Sequence, residues 1–230
     1  MSPFVIATGN PGKRREFERL LKDFFADHWQ IFDRTDFPEP LDEVVEDADT
    51  FRGNAIKKAV ETARQTGCCA LADDSGLEVD ALDGAPGVRS ARFAGADATD
   101  EDNNQLLVER LEEVPEADRT ARFVCVLALA VVDDEVGREI LERFDLSFSH
   151  VASKAPDNEG EPGRVGDCVV VWFRGTVDGR IVSEPTGAGG FGYDPHFYVP
   201  ELGKTFAELP VEHKNRISHR ADAVDKLGAD

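Results

Sequence analysis

The residues with the most chemistry to offer are Asp73-Asp74-Ser75-Gly76, two adjacent carboxylates followed by a hydroxyl and a glycine. An apolar run, Cys68 to Ala72, leads into them. Behind them Leu77, Val79 and Ala81 alternate with Glu78 and Asp80, the period-2 pattern of a half-buried strand. The acids therefore fall where one buried strand is expected to end and another to begin. Successive strand side chains point to opposite faces, so the two carboxylates are set for different jobs. One can reach a metal ion or a water while the other braces the loop. The same residue types also build an ordinary hairpin turn, and the pattern alone leaves both readings open.

Three further stretches could serve such a pair. Near the start, Phe4-Val5-Ile6-Ala7 reads as a short buried strand. Thr8-Gly9-Asn10-Pro11-Gly12-Lys13 follows, then a helix with an apolar stripe at Phe17, Leu20, Leu21 and Phe24. A strand, a glycine-containing loop and a helix start offer backbone N–H groups and a positive dipole end to a phosphate. Lys13, Arg14 and Arg15 add charge there. The loop is too short for GxxxxGK[ST], and a plain strand-to-helix turn also accounts for its Gly and Asn. Further on, Thr186 to Pro195 places four glycines around Phe191, Tyr193 and Asp194. Such a loop lets the backbone approach a ligand while a ring stacks on something flat. Last, Glu212 to Arg220 is locally basic, with Lys214, Arg216, His219 and Arg220. It suits an anionic or acceptor-rich ligand, or a helix whose cations pair with nearby acids.

Between these lie the positioning elements. Asp33 to Asp49 is acidic and holds Pro38 and Pro40, so it reads as loop or edge strand. Its Glu43, Glu46, Asp47 and Asp49 are candidate metal ligands or simply an acidic surface. Thr50 caps a helix with apolar Phe51, Ala55, Ala59, Val60 and Ala63, carrying Lys57 and Lys58 and closed by Gly67. Thr99 caps a third helix through Leu106, Leu107 and Leu111, stopped by Pro115. Arg119 to Val132 reads as a long buried strand, and Ile140 to His150 as further sheet because Phe144, Leu146 and Phe148 alternate with polar residues. Ala155 to Asp167 reads as an excursion loop, Val169 to Phe173 as a return strand, and Ser218 as the cap of the last helix. Strands and helices mix without strict alternation, which argues for an α/β fold with a mixed sheet.

Composition bounds the answer. With 230 residues, 41% of them hydrophobic and 15 Phe, the chain can bury a real core as one large domain. The longest apolar run, Phe123 to Val132, has the length of a strand and not of a membrane span. The start MSPFVIATGN enters a strand directly, so no signal peptide is expected. Cys68, Cys69, Cys125 and Cys168 show no CxxC spacing and read as reduced, buried thiols of a cytoplasmic protein. Lys+Arg 26 against Asp+Glu 46 gives a net charge of −20, and only eight of the basic residues are Lys. Such a surface repels nucleic acid and anionic membrane. It also suggests adaptation to high salt, where self-repulsion is screened.

Taken in order, ATGNPGK (Ala7 to Lys13), ADDSGLEVDALDGAPG (Ala72 to Gly87), GAGGFGYDP (Gly187 to Pro195) and Lys214 with SHR (Ser218 to Arg220) resemble the inosine/xanthosine triphosphate pyrophosphatase family. The motifs span nearly the whole chain. The resemblance implies an elongated mixed-sheet, two-lobed α/β fold, with helices packed on the sheet and an active cleft between the lobes, as a single domain over 1–230. It implies Mg²⁺-dependent hydrolysis of ITP, dITP and XTP to the monophosphate and pyrophosphate, and a homodimer. Carried over by position, Thr8, Gly9, Asn10, Pro11, Gly12 and Lys13 would hold the triphosphate with help from Lys58. Asp74 would be general base and metal ligand, Glu46 a second metal ligand, and Asp73 their supporting neighbour. Ser75 would touch the substrate. Phe191, Gly192, Tyr193 and Asp194 would stack on and read the purine, with Lys214, His219 and Arg220 completing the base pocket. The 6-keto edge of such a purine accepts hydrogen bonds, so a donor-rich pocket favours it over adenine.

Two departures from the family pattern stand out. Gly53 precedes Asn54 where the family often has Glu, and the stretch 133–167 is longer than usual. A pyrophosphatase for another modified nucleotide would keep the paired acids and Mg²⁺ but prefer a different base. A non-catalytic nucleotide-binding module would have no need of the acids, and a haloacid-dehalogenase-like phosphatase would need a DxDxT that is absent.

Overall fold

The computed structural model describes residues 2–21, 29–33, 35–37 and 41–228. Phe24, Pro38 and Pro40 lie outside the described residues. In chain order the elements are β1 (Ser2–Ile6), α1 (Pro11–Leu20), β2 (Trp29–Asp33), α2 (Phe51–Thr66), β3 (Cys69–Val79), α3 (Asp100–Arg110) and β4 (Thr120–Val131). Then come α4 (Glu135–Arg143), β5 (Gly163–Val165), β6 (Cys168–Ile181), β7 (Phe197–Val199), β8 (Lys204–Thr205), α5 (Val211–Ile217) and α6 (His219–Gly228). The strands form one sheet in the order β2-β1-β3-β4-β6-β7-β8, with β5 attached to β6. β1 runs parallel to β2 and β3, whereas β6 is antiparallel to β5 and β7. The fold is α/β with a mixed sheet and helices packed on it, as the irregular alternation of strand and helix signals requires.

The chain divides into two compact units. The first holds Met1–Asp74, Val126–Arg174 and Ala223–Asp230, and the second Ser75–Cys125 and Gly175–Asp222. In the first unit Phe17 of α1 and Leu21 at its C-terminal cap are buried from the expected stripe, and α2 buries Phe51, Ala55, Ala59, Val60 and Ala63. Thr50 Oγ1 accepts from Gly53 N at 3.0 Å and Gly67 ends α2 at φ +69°, so both caps lie where the sequence puts them. The second unit closes over an aromatic cluster. Phe123 meets Phe197 at 4.5 Å and stacks on Phe206 at 5.7 Å and on His219 at 5.0 Å, while Leu107 of α3 and Leu111 at its C-terminal cap are fully buried beside them.

Three expectations are corrected. Asp73 and Asp74 do not mark a break between strands: β3 runs through them without a turn. Buried carboxylates tolerate a strand interior when each has partners, and both do. Ala81, expected to face inward, is exposed, because the strand ends at Val79 and a 3-10 turn covers Asp80–Leu82. Ile140 to His150 is not sheet but the end of α4 followed by turns. Asp134 caps that helix by accepting from Gly137 N at 2.7 Å, and Val136, Ile140 and Leu141 are buried along one face. The helix is tied to β2, since Trp29 Nε1 donates to Glu139 at 2.8 Å and the Arg143 guanidinium lies 5.1 Å from the Trp29 ring centre. The helical period at Val136, Ile140 and Leu141 therefore outweighed the short alternation that follows it.

Candidate active site

Two clusters of polar residues stand out, one in each unit. In the first unit β3 presents its adjacent acids to different partners, as strand alternation demands. Asp73, 3% exposed, accepts from Lys13 Nζ at 2.8 Å. Lys13 comes from the first turn of α1, where the cap is Asn10: its Oδ1 accepts from Gly12 N (2.8 Å) and Lys13 N (3.2 Å), and its own N–H donates to Thr8 Oγ1 (3.2 Å). Pro11 occupies the helix start, where a fixed φ suits and no N–H is required. The run Thr8 to Lys13 is thus a folded turn whose one long cation is moored to a buried acid. Gly9 and Asn10 are exposed on it.

Asp74, 6% exposed, faces α2. Its Oδ2 accepts from Asn54 Nδ2 at 3.0 Å, and its Oδ1 lies 3.9 Å from Lys58 Nζ. The same Lys58 ammonium is 3.1 Å from Glu46 Oε2, so one lysine joins the two expected metal ligands. Glu46 is held there because its segment lies along α2 in the opposite sense. Gln65 donates to Asp42 O, Lys57 pairs with Asp47 at 2.6 Å, and Asn54 both accepts from Ala48 N (2.9 Å) and donates to Ala48 O (3.4 Å). Glu43 and Asp49 are exposed on the same segment. Burial raises the Asp74 carboxyl to about 6, against the pull of Lys58 and the Asn54 hydrogen bond, with Glu46 adding to the rise.

Asn54 joins the site without any motif that marks it. It is 1% exposed and its amide ties Asp74 to the backbone of the segment that carries Glu46. The available signal was a carboxamide three residues after Phe51, on the largely apolar buried face of α2. Gly53 has a local reason as well. A Cβ there would come within 2.7 Å of Ala48 Cβ and 3.1 Å of Thr50 Oγ1, so glycine lets the acidic segment lie close to the helix start.

The second cluster is built on the glycine loop. Asp194, 3% exposed, accepts from Phe191 N at 2.9 Å and from the Lys214 ammonium of α5. Gly190 at φ +75° passes so close to that carboxylate that a side chain would collide with it. Phe191 is 41% exposed, with Lys214 Nζ 4.9 Å and Arg220 Cζ 5.7 Å from its ring centre. Ser218 Oγ accepts from Ala221 N at 3.2 Å and so caps α6, which carries His219 and Arg220, both buried. Tyr193 departs from its expected part. Its ring is in the core of this unit and its hydroxyl donates to Ser90 O at 2.8 Å, so it braces the loop and leaves the exposed ring to Phe191. Ser75, half-buried, is the first residue of this unit on β3.

The profile of the Ham1 family matches residues 4–142 and 162–230, which includes every residue of both clusters. The chain belongs to the Ham1 family. It is 46% identical to a dITP/XTP pyrophosphatase of Desulforamulus reducens over 222 residues, 96% of this chain and 92% of that protein. It is 43% identical to a dITP/XTP pyrophosphatase of Geobacter sulfurreducens, covering 99% of this chain and 95% of that one. Among solved structures a HAM1 protein from Coxiella burnetii matches with TM-score 0.76 and 38% identity, over 99% of this chain and 97% of that one. The Ham1 profile leaves out only 143–161 between its two matched stretches, the last residue of α4 and the turns and loop that follow it.

Proposed function

We propose that the protein hydrolyses the non-standard purine nucleoside triphosphates ITP, dITP and XTP to the monophosphate and pyrophosphate, with Mg²⁺, and so clears them from the nucleotide pool. Family membership and near-full-length likeness to pyrophosphatases make it a nucleoside triphosphate pyrophosphatase, a hydrolase. The observation that carries the finer reading is the pair of buried neighbours on β3. One acid holds the lysine of the Thr8–Lys13 turn, while the other shares Lys58 with Glu46.

Among the described residues no group of three or more His, Cys, Asp or Glu is gathered to hold a metal. Mg²⁺ needs no such group when phosphate oxygens and water complete its shell, since one or two carboxylates then suffice. Asp74 and Glu46 fit that donor set. Mg²⁺, when bound, supplies charge neutralisation for the triphosphate and polarises its phosphorus–oxygen bonds. The Thr8 to Lys13 turn and Lys58 take the phosphate oxygens. Ionised Asp74 accepts a proton from the water that attacks the α-phosphorus, and pyrophosphate leaves. Asn54 holds one Asp74 oxygen and so orients the other. Phe191 gives the base a stacking face, and the cations of α5 and α6 favour an acceptor-bearing purine edge.

The test is turnover of ITP, XTP, ATP and GTP in parallel, with Mg²⁺. The reading expects ITP and XTP to be cleaved and ATP, with its 6-amino group, to be nearly untouched, while GTP shows whether a 2-amino group is tolerated. Equal turnover of all four would keep the phosphate chemistry and remove the base assignments. Binding without turnover, with Asp74 intact, would leave a nucleotide-binding module.

A further inference from the structure

We infer that Asp100 and Asn104, on α3, are positioning residues that set base specificity by fixing Gly192 and, through it, the Phe191 ring. The inference rests on the reading of the second cluster as the base site.

Gly192 sits at φ +61°. Its N–H donates to Asp100 Oδ2 at 2.7 Å, and its carbonyl accepts from Asn104 Nδ2 at 2.9 Å. Both backbone polar groups of one loop residue are therefore held by two side chains a single helical turn apart. The helix that holds them is itself fixed. Thr99 and Asp102 form a reciprocal cap, Leu107 and Leu111 are fully buried, and Asn103 accepts from Ala94 N at 2.8 Å. On its other flank Phe191 is tied by its own N–H to Asp194. The exposed ring thus stands on a short piece of backbone pinned from both sides.

The pinning has work to do because the loop would otherwise be loose. Gly187, Gly189, Gly190 and Gly192 give the backbone wide freedom. Contact between the ring and the cations beneath it is broad in angle and does not by itself choose one pose. Telling a 6-keto from a 6-amino purine depends on donors meeting particular atoms of the base edge, so a ring free to tilt would keep stacking but lose register.

The experiment compares kcat/KM on ITP with that on ATP for Asn104→Leu, Asp100→Ala and the double variant, with thermal melting alongside. Phe191→Ala serves as the control for the underlying reading. The double variant is expected to lose about tenfold of the ITP-over-ATP ratio, the scale of one or two hydrogen bonds, with the loss in KM more than in kcat. Asp100→Asn, which keeps an acceptor oxygen, is expected to recover most of the ratio. Asn104→Leu keeps a strong helix former on a half-buried site, so it remains informative if the double variant unfolds. If Phe191→Ala flattens the ratio while the α3 variants leave it within about twofold, the pinning is idle and the inference fails. If Phe191→Ala leaves the ratio intact, the base site lies elsewhere and the underlying reading falls with it.

Discussion

Asp74 is buried, accepts from Asn54, lies near Lys58 and Glu46, and is raised to about 6 chiefly by burial. An acid whose folded value exceeds its unfolded one favours the protonated fold. Its contribution is present below about 4 and lost as pH rises through about 6. Asp74→Asn is therefore expected to abolish turnover while raising metal-free stability at pH 7 by on the order of 2 kcal/mol. The gain should vanish well below pH 4, where the carboxyl is neutral in the folded and the unfolded chain alike. Near-normal activity in that variant would remove Asp74 from the base role. Asn54→Leu acts in the opposite direction on stability. It leaves the Ala48 N–H and an Asp74 oxygen without their buried partner, at a cost of about 2–4 kcal/mol. Melting curves and the Mg²⁺ concentration for half-maximal rate would record it; a variant as stable and as metal-responsive as the parent would show that Asn54 ties nothing together.

Among the elements, α2 carries most of the positioning in the first unit, because the segment from Asp42 to Thr50 is laid along it. Gly53→Ala puts a methyl where 2.7 Å separates it from Ala48 Cβ, and overpacking of this kind costs about 1–3 kcal/mol. The variant is expected to need more Mg²⁺ for the same rate, since Glu46 lies on the displaced segment; an unchanged Mg²⁺ titration would contradict that. The elements also show what was legible beforehand. Helix caps at Thr50, Thr99 and Ser218, and the apolar faces of α2 and α3, are local properties and could be read from spacing. The continuity of β3 could not, because the partners that let Asp73 and Asp74 sit inside a strand come from Lys13, Asn54 and Lys58, distant in the chain. Alternation at Phe144, Leu146 and Phe148 misled for the converse reason: the packing of α4 on Trp29 decides that region. Chain order brought out the motifs, but the buried place of Tyr193 and the role of Asn54 depend on packing that no spacing reveals.

For the whole molecule, the net charge of −20 is the property least explained by the chemistry. We propose that it suits a high-salt environment. The Debye length falls from about 30 Å at 0.01 M to about 3 Å at 1 M, so self-repulsion should relax and the melting temperature rise by several degrees across that range. A protein equally stable and active in dilute buffer would count against salt adaptation. Among the described residues no helix is long and apolar enough to cross a membrane. The proposed reaction is tested most directly by phosphorus NMR of the products formed from ITP with Mg²⁺. Inosine monophosphate and pyrophosphate appearing in equal amounts, and neither appearing with Asp74→Asn, is the predicted result. Release of orthophosphate with inosine diphosphate would place the cleavage at the other anhydride and contradict the assignment of Asp74 to the α-phosphorus.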